Sequence, residues 1–455
     1  MENINITKDI IAEMFGEERL RGGKEAVKCA VVSSGCKLNQ FESGQLSEIF
    51  KRYNIYTAEF GEPDIDFFLI NTCTVTDKAD IETERTLRKI KKRYPESRLI
   101  ITGCSAQINK DGFSGITGLK LMDNIKKAEI IKNSADEFPN SVFNQKRTRP
   151  YLKIQEGCGL ECSYCIIPKA RPVKWSLGIN NVLRYIDEFG KRGYREIILT
   201  GVNIGSYKDK KSGAGLKELL IAAEELKSGA KIRISSIDPI YIDDEMIKIF
   251  AGSKKIRNHF HIPLQSASDG ILKLMKRNYS FNDYLKITEK ICESVPDAAI
   301  GTDIISGFPG ETEEDFYETV KNLEKLPIYY IHAFSYSDRA GTVSYSLKPK
   351  INELEIKKRT GIIREISLQK KLKFHNKFLG KTLEFLSLTD NKAISSNYIK
   401  AKISGNPNLP QGTEFRGKII DIGRRVRKDE VSEVTVEICD GDRIEFCPHN
   451  IKNEL

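Results

Sequence analysis

Three cysteines lie within eight residues of this 455-residue chain, and they constrain its fold and chemistry more than any other feature. Cys158, Cys162 and Cys165 have C-x3-C-x2-C spacing in the stretch QEGCGLECSYCIIP. Three thiolates in one loop can bind three irons of a cubane iron–sulfur cluster and leave the fourth iron without a protein ligand. Four-cysteine zinc sites use two separated pairs, and a redox C-x-x-C has no third thiol. The spacing therefore favours a cluster with an open iron over a zinc knuckle.

The aromatic residue Tyr164, directly before the third cysteine, completes a pattern that resembles the radical S-adenosylmethionine enzymes. This resemblance implies that the open iron binds the amino and carboxylate groups of S-adenosylmethionine. It also implies that one electron from the cluster cleaves the sulfonium and yields a 5′-deoxyadenosyl radical. A fourth thiolate would prevent the cofactor from binding to this iron. The role left to the protein is to orient the bond that breaks.

Three strand-like segments in the N-terminal third each end in a cysteine, at Cys36, Cys73 and Cys104. Helical stretches separate the segments, at residues 39–53 and 77–93. Alternating strands and helices predict parallel β-α-β units with right-handed crossovers, which place the carboxyl ends of the strands at one sheet edge. The three cysteines are therefore expected to converge and to bind a second cluster with an open iron. Core packing is the alternative for each of them.

The sequence motifs around these cysteines are GCKLNQ (residues 35–40), NTCTVT (residues 71–76) and TGC (residues 102–104). Through them, residues 27–135 resemble the N-terminal domain of the methylthiotransferases, a subset of the radical S-adenosylmethionine enzymes. The resemblance implies two [4Fe-4S] clusters, with all six cysteines as metal ligands and catalytic residues. Together with TGVNIGSY (residues 200–207), the first two motifs are most similar to those of enzymes acting on threonylcarbamoyladenosine in tRNA.

Such an enzyme would replace the C2 hydrogen of that adenosine, next to the anticodon, with a methylthio group. The resemblance implies that two S-adenosylmethionine molecules serve each turnover, one as methyl donor at the second cluster and one as radical source. Its expected partners are tRNA, an electron donor such as a flavodoxin or ferredoxin, and a sulfur source. The competing hypotheses are a methylthiotransferase for isopentenyladenosine in tRNA or for an aspartate of a ribosomal protein, and a non-enzymatic iron–sulfur protein that binds RNA or senses redox state.

The expected fold class is α/β with three domains. The N-terminal domain is a parallel α/β unit, the centre a partial six-unit (β/α) radical barrel, and the C-terminal domain a small antiparallel β-barrel similar to the TRAM domain that binds RNA. The predicted strands of the central barrel are residues 196–201, 231–236, 260–264 and 299–305. The predicted boundaries are 1–26 for a poorly specified arm, 27–140 for the cluster domain, 141–374 for the radical core and 375–447 for the TRAM-like barrel.

Polar residues and glycines near the predicted strand ends are suited to holding a cofactor. By resemblance, the S-adenosylmethionine pocket is lined by Tyr164, Gly201, Asn203, Ser236, Gln265 and Gly307. His261, His332 and Arg339 are either pocket residues or hydrogen-bonded side chains of the barrel wall.

The net charge of +10 is unevenly distributed. Residues 348–377 hold ten Lys or Arg and three Glu, which suits either a contact with nucleic acid phosphates or a solvated helix face. The most basic cluster of the last segment is Arg424, Arg425, Arg427 and Lys428.

The remaining cysteines, Cys29, Cys292, Cys439 and Cys447, form no such group and are expected to be ordinary thiols. Wide scatter of the ten cysteines in a long chain predicts a reducing, cytoplasmic location. The apolar runs are too short to predict a membrane span.

Overall fold

The structure is a computed structural model. It describes residues 2–17, 27–113, 115–137, 140–143, 145, 147–405, 409–423, 425–427, 430–431 and 433–439.

A five-stranded parallel sheet forms the N-terminal domain, with strand order β2-β1-β3-β4-β5. Its strands are β1 (Val27–Ser33), β2 (Ile55–Ala58), β3 (Phe67–Thr72), β4 (Arg98–Gly103) and β5 (Leu119–Met122). Its helices are α1 (Glu2–Phe15), α2 (Lys37–Lys51), α3 (Asp77–Arg93), α4 (Cys104–Ile108) and α5 (Asn124–Glu137). The central strand β3 is buried along its whole length because helices cover both faces of the sheet, as its unbroken apolar run indicates.

The helix α1 corrects the expectation of a poorly specified arm. Ile10, Ile11, Met14 and Phe15 are all buried, and they pack in one apolar cluster with residues of the sheet and of α2. The ring of Phe15 lies 5.0 Å from that of Phe67 in β3. These apolar side chains recur at the spacing of one helix face, which is the signal that predicts a docked helix.

The central domain contains six parallel strands in two sheets, which confirms the partial six-unit barrel. One sheet contains β6 (Tyr151–Glu156), β8 (Glu196–Gly201) and β9 (Lys231–Ile234), with the short antiparallel strand β7 (Trp175–Ser176) at its edge. The other contains β10 (His259–His261), β11 (Ala299–Ser306) and β12 (Tyr330–Ser335). A single parallel bridge between Ile232 and Ile256 lies between the two sheets.

Helices cover the outside of this barrel, and their apolar faces form one large core with the strands. They are α6 (Asn140–Phe143), α8 (Ile179–Lys191), α9 (Leu216–Glu224), α10 (Asp244–Gly252), α11 (Asp269–Leu274), α12 (Phe281–Ser294), α13 (Glu313–Lys325) and α14 (Glu353–Phe378). The short helix α7 (Ile167–Ala170) follows the loop after β6 and contacts the N-terminal domain. The helix α14 is the predicted basic segment. It packs along β12, where Ser367 Oγ accepts a hydrogen bond from the backbone of Ile331, and Arg359 of this helix is buried against Glu311 at 2.7 Å.

The C-terminal domain is a closed five-stranded barrel in the order β13-β14-β15-β19-β16. Its strands are β13 (Thr382–Ser387), β14 (Lys392–Ser395), β15 (Lys400–Ile403), β16 (Glu414–Asp421) and β19 (Val434–Ile438), and β17 (Arg425–Arg427) and β18 (Glu430–Val431) form a separate pair. The barrel was expected to be antiparallel. Four of its strand pairings are antiparallel, but β15 and β19 pair in parallel.

Glu196, at the start of β8, joins the two barrels. Its buried carboxylate is paired with Arg233 at 2.7 Å and with Arg257 at 3.1 Å, and Arg257 also contacts Glu414 of the C-terminal barrel at 2.7 Å. Burial alone would raise the pKa of Glu196, but the arginines outweigh it and hold that pKa well below its usual range. The C-terminal domain is thus fixed against the amino-terminal ends of the radical-barrel strands.

Among the residues described, no helix is both long and apolar enough to cross a membrane. Cys29 is buried, and burial raises the pKa of its thiol to about 12, as expected of a packed cysteine. Cys292 and Cys439 are partly buried. Cys447, Arg424 and Lys428 lie outside the described residues.

Candidate active site

The first cysteine triplet lies in the loop that follows β6, at the carboxyl end of the barrel strands. The backbone N–H of Cys165 donates to the carbonyl of Cys162 at 3.0 Å, so this part of the loop is a tight turn. Ser163, between them, is anchored by its N–H to the carbonyl of Met275 and by its hydroxyl to the carbonyl of Leu274. The turn is thereby held against the end of α11.

The surroundings of these thiols fit a metal cluster. Burial raises the pKa of Cys165 to about 12, and the neighbouring Cys162 and Cys158 add to this rise. Burial, with a further contribution from Cys162, also raises the pKa of Cys158. Thiolates gathered in this way repel one another unless cations compensate them, and binding to iron removes the protons. The donor set of three close sulfurs therefore suits a [4Fe-4S] cluster.

Two polar side chains outside the cysteine loop contact the cysteine sulfurs. Asn203, which follows β8, points its Nδ2 at the sulfur of Cys158 at 3.8 Å, and its backbone N–H donates to Gln155 at 2.8 Å. Arg277 donates from Nη1 to the sulfur of Cys162 at 3.0 Å. Sequence reasoning singled out Asn203 but missed Arg277, because its position after α11 carries no motif.

The other predicted cofactor residues are in different settings. Tyr164 is packed in a small apolar cluster beside the turn, and Gln265 lines the cavity next to Cys165 in a left-handed backbone conformation. Gly201 ends β8 against Gln155, and Ser236 is exposed in the loop after β9. A cofactor-binding role for these four residues stays a prediction.

Gly307 contacts a helix. A Cβ at this position would lie 2.4 Å from the side chain of Ile356 in α14, and its backbone N–H donates to Glu311 at 2.8 Å. The observed reason for a glycine here is therefore close packing of α14 on the end of β11. A role for Gly307 in cofactor binding stays a prediction.

The second cysteine triplet converges as its strand positions predict. Cys36, Cys73 and Cys104 follow β1, β3 and β4, which are neighbours in the sheet. Burial raises the pKa of Cys73, and the nearby thiols of Cys104 and Cys36 raise it further. Asn124 of α5 points its Nδ2 at the sulfur of Cys104 at 3.7 Å. The metal-ligand role of the three cysteines stays a prediction.

Two glycines directly before these cysteines lie where a side chain would not fit. Gly35 has φ +97°, and a Cβ there would lie 2.6 Å from the Cβ of Cys73 and 3.2 Å from its sulfur. Gly103 has φ +96°, and a Cβ there would lie 2.4 Å from the carbonyl oxygen of Thr72. Both positions need a residue without a side chain, because the left-handed backbone and the close neighbours each oppose a Cβ.

A cavity of about 250 Å³ connects the two domains at this edge. Val75 and Thr76, just after Cys73, line one side, and Tyr164 and Cys165 line the other. Its remaining walls come mainly from the ends of β11 and β12. A molecule in this cavity therefore lies beside both cysteine loops.

Arg339 fixes the two domains across this cavity. It follows β12, lines the cavity, and donates from Nη2 to Thr74 Oγ1 at 2.5 Å and to Asp80 at 2.6 Å. Thr74 directly follows Cys73. The radical barrel thus holds the Cys73 loop by a charged hydrogen bond.

A fully buried ion network lies behind the two cysteine loops. Glu42 of α2 is within 2.7 Å of Lys127, Lys153 and Arg171, and Arg171 also pairs with Glu156 at 3.0 Å. Burial alone would raise the pKa of Glu42, but Arg171, Lys127 and Lys153 hold it well below its usual range. The three cations and two carboxylates leave one excess positive charge. Buried pairs of this kind are stable only when complete, so the network fixes the relative position of the domains.

Two histidines flank one aspartate in the barrel wall. Asp303, in the middle of β11, lies 3.0 Å from His261 Nε2 and 3.3 Å from His332 Nδ1, and it also lines the cavity. Burial would raise the pKa of Asp303, but hydrogen bonds from the two histidines hold it well below its usual range. His332 remains half exposed.

Comparison with known proteins supports the family resemblance that the cysteine motifs carry. Residues 152–323 match the Radical SAM superfamily, and residues 28–121 match the Uncharacterized protein family UPF0004. The threonylcarbamoyladenosine tRNA methylthiotransferase MtaB of Aquifex aeolicus is 34% identical over 400 residues, which cover 83% of this chain and 97% of that protein. The chain belongs to the radical S-adenosylmethionine methylthiotransferase family. The family is one of enzymes with a [4Fe-4S] cluster and S-adenosylmethionine, as the Cys158, Cys162 and Cys165 triplet predicts.

Two further relatives also align with most of this methylthiotransferase. MtaB of Thermotoga maritima is 30% identical over 90% of the chain and 96% of its own length. The tRNA-2-methylthio-N(6)-dimethylallyladenosine synthase of Endomicrobium trichonymphae is 32% identical over 87% of the chain and 96% of its own length.

The radical S-adenosylmethionine methyltransferase TsrM from Kitasatospora setae, solved with tryptophan substrate and a cofactor analogue, has a similar fold. The TM-score is 0.50 at 12% identity, over 67% of this chain and 72% of TsrM. At this level of identity the likeness concerns the fold alone.

Proposed function

We propose that this methylthiotransferase converts N6-threonylcarbamoyladenosine next to the anticodon of tRNA to its 2-methylthio derivative. The observation that carries the proposal is the cavity between the two cysteine triplets, which is lined by Cys165 on one side and by the residues after Cys73 on the other. An adenosine in this cavity can meet a radical source on one face and a sulfur source on the other.

The C2–H bond of adenosine is too weakly acidic for attack by a general base of ordinary pKa, so its replacement requires radical chemistry. When bound at Cys158, Cys162 and Cys165, the cluster and S-adenosylmethionine supply a one-electron cleavage that yields the hydrogen-abstracting species. A second [4Fe-4S] cluster at Cys36, Cys73 and Cys104 would hold the sulfur to be transferred.

The chain's own residues have positioning roles in this proposal. The buried network around Glu42 and the contact of Arg339 with Thr74 keep the two cysteine loops at a constant separation. Tyr164 and Ile167 line the cavity beside the cluster loop and limit the access of water to it. Such exclusion prevents a reactive radical from being quenched by side reactions.

A polar wall, formed by Asp303, which lines the cavity, and by the half-exposed His332 beside it, supports a polar substituent on the adenosine. A threonylcarbamoyl group carries a carboxylate and a hydroxyl that can bond to the imidazole of His332, whereas a dimethylallyl group cannot. An apolar substituent would bury the half-exposed His332 without offering it a hydrogen bond in place of water, at a cost of about 1 to 3 kcal/mol. This wall favours threonylcarbamoyladenosine over isopentenyladenosine.

Mass spectrometry of tRNA nucleosides from cells with and without the gene tests the proposal. We expect the 2-methylthio derivative of threonylcarbamoyladenosine to disappear without the gene, and its unthiolated precursor to accumulate. Loss of the 2-methylthio derivative of isopentenyladenosine would instead assign the enzyme to the other tRNA substrate. No change in either nucleoside would overturn the tRNA assignment.

A variant with Cys36, Cys73 and Cys104 all changed to Ala is the matched control. Expressed in the deletion strain, it should restore neither nucleoside, whereas the unchanged gene should restore the methylthiolated one. A triple variant that restored the product would show that the second triplet does not take part.

A further inference from the structure

The loop of Cys158, Cys162 and Cys165 borders two openings that share no lining residue among those described. The first is the substrate cavity, which Cys165 lines. The second is an open groove of about 810 Å³, lined by Leu160 and Glu161 between the first two cysteines and by residues of α11 and the segment after it. We name it the Lys273 groove, after Lys273, which lines it together with Lys276 and Arg277.

We propose that the Lys273 groove is the docking surface for the protein that delivers electrons to the cluster, a small acidic carrier with a flavin or iron–sulfur centre. This inference rests on the proposed function, because only a cluster at these cysteines needs the electron. In the step, the carrier is oxidised by one electron and the cluster is reduced by one. No bond forms or breaks in the groove, and no proton has to move there.

The substrate cavity is unsuited to this task. It is much smaller than the groove, at about 250 Å³, and it lies between the two domains. During turnover it would contain the cofactor and the adenosine, so a carrier protein could not approach the cluster from that side. The Lys273 groove borders a different part of the same loop and shares none of the described lining residues with the cavity, so it stays free.

Arg277 connects the groove to the cluster loop. Its Nη1 donates to the sulfur of Cys162 at 3.0 Å, and the same side chain lines the groove. Asp238 and the hydroxyl of Tyr279 hold the guanidinium in this position. A charged hydrogen bond to a ligand sulfur favours the more negative, reduced state of a cluster. A residue that lines the groove therefore also makes the cluster easier to reduce.

The charge around the groove suits an acidic partner. Lys273 and Lys276 are exposed, and Lys174 lies close to the cluster loop, since its Nζ would be 3.8 Å from a Cβ at Gly159. The acidic lining residues are Glu161, which is exposed, and Asp269, which already accepts a hydrogen bond from a backbone N–H at 2.6 Å. The lining thus holds three cations against two carboxylates. Redox partners bind through small, transient interfaces in which charge complementarity mainly accelerates association.

A charge-reversed enzyme, Lys273→Glu with Lys276→Glu, tests the proposal. The reconstituted holoenzyme is mixed anaerobically with flavodoxin hydroquinone, or with a reduced ferredoxin, and cluster reduction is followed by stopped-flow absorbance. The carrier that reduces the wild-type enzyme faster is used throughout. We expect the second-order rate constant to fall at least tenfold, and the affinity measured by calorimetry to fall with it.

The matched control reverses the same number of charges elsewhere, with Lys248→Glu and Lys254→Glu on and after α10, which do not line the groove. Its rate constant should stay within twofold of the wild-type value. Equal rates for the groove variant and this control would overturn the proposal.

Dithionite separates docking from folding and from the reaction itself, because it needs no protein interface. The groove variant should keep its iron content and its dithionite-driven product formation. If dithionite-driven wild-type enzyme made no methylthiolated product, the proposed function would fail, while the reduction rates would still test the groove. If the variant lost its iron, the charge-neutral variant Lys273→Gln with Lys276→Gln would replace it in the reduction experiment. The salt dependence of the wild-type reduction rate would be measured as well. A rate independent of salt would contradict the proposal.

Discussion

The guanidinium of Arg171 lies 2.7 Å from the carboxylate of Glu42, both of them buried, and this contact joins the two halves of the site. Arg171 follows the first cysteine triplet, and Glu42 belongs to the helix that begins after Cys36. Arg171 also donates to the side chain of Asn39 at 2.7 Å. The distance between the two cysteine loops is therefore set by buried charge pairs and not by apolar packing alone.

Glu42→Gln should strongly destabilise the enzyme, because Lys127, Lys153 and Arg171 would lose their common anion while buried. Breaking a buried ion pair from one side costs about 3 to 5 kcal/mol. Urea unfolding of the purified protein measures the loss. The control is Glu48→Gln on the same helix, whose ion pair with Lys51 lies at the surface, so that this variant should change stability by about 0 to 1 kcal/mol. Similar values for both variants would contradict a structural role for the network.

Gly35→Ala should remove the second cluster and spare the first. The added Cβ would meet the Cβ of Cys73 at 2.6 Å, in a backbone conformation that alanine disfavours. We expect iron and sulfide analysis to fall from the content of two clusters to that of one. Gly44→Ala is the control, because this helical glycine has nothing within 4 Å of an added Cβ and should gain about 0.5 to 1 kcal/mol of stability. An unchanged iron content in Gly35→Ala would contradict the assignment.

Separate roles for the two triplets predict different losses in two cysteine variants. Cys162→Ala should abolish both S-adenosylmethionine cleavage and product formation, because it removes a ligand of the radical cluster. Cys73→Ala should abolish the product but spare uncoupled cleavage. Liquid chromatography of 5′-deoxyadenosine and of tRNA nucleosides measures both activities. Equal loss of both in Cys73→Ala would count against separate roles.

The sequence was sufficient to predict the parts of this site that depend on local pattern. Cys36, Cys73 and Cys104 could be placed together because parallel strands end at one sheet edge, and β8 was predicted to the residue. The strands β2 and β5 were missed because four residues are too few to show a period.

The remaining contacts depend on tertiary packing. Glu42 and Arg171 are 129 positions apart, and nothing in their local sequence distinguishes a buried pair from two solvated charges. Asp303 did carry a signal that could have been used. It is the one charged residue within strand β11, where an unpaired charge would be costly and a partner is implied.

His332 should contribute to recognition of the threonylcarbamoyl group, since it is the exposed member of the pair that flanks Asp303. His332→Ala should lower kcat/KM for tRNA that carries threonylcarbamoyladenosine about tenfold, equivalent to about 1.4 kcal/mol. Uncoupled S-adenosylmethionine cleavage should not change. The control is His332→Gln, which retains a hydrogen-bonding side chain and should recover part of the loss. Full kcat/KM in His332→Ala would remove this residue from substrate recognition.

His375 should make the stability of the contact between α14 and the segment that leads into β12 depend on pH. Its ring is buried against the hydroxyl of Tyr329 at 2.8 Å, and burial, assisted by Lys371, lowers its pKa to about 4 from an ordinary value of 6.5. Between these values the unfolded chain binds a proton that the folded chain does not, so stability is complete above pH 6.5 and declines as the pH falls toward 4. From pH 7 to pH 5 the loss is about 2 kcal/mol.

Anaerobic urea unfolding of the holoenzyme and of His375→Gln at pH 7 and pH 5 measures this contribution. Glutamine can still bond to Tyr329 but does not titrate, so the variant should lose about 2 kcal/mol less than the wild type on acidification. Acid effects on the cysteine sites are common to both proteins and cancel in the difference. Identical losses in the two proteins would show that His375 titrates alike in the folded and unfolded chains.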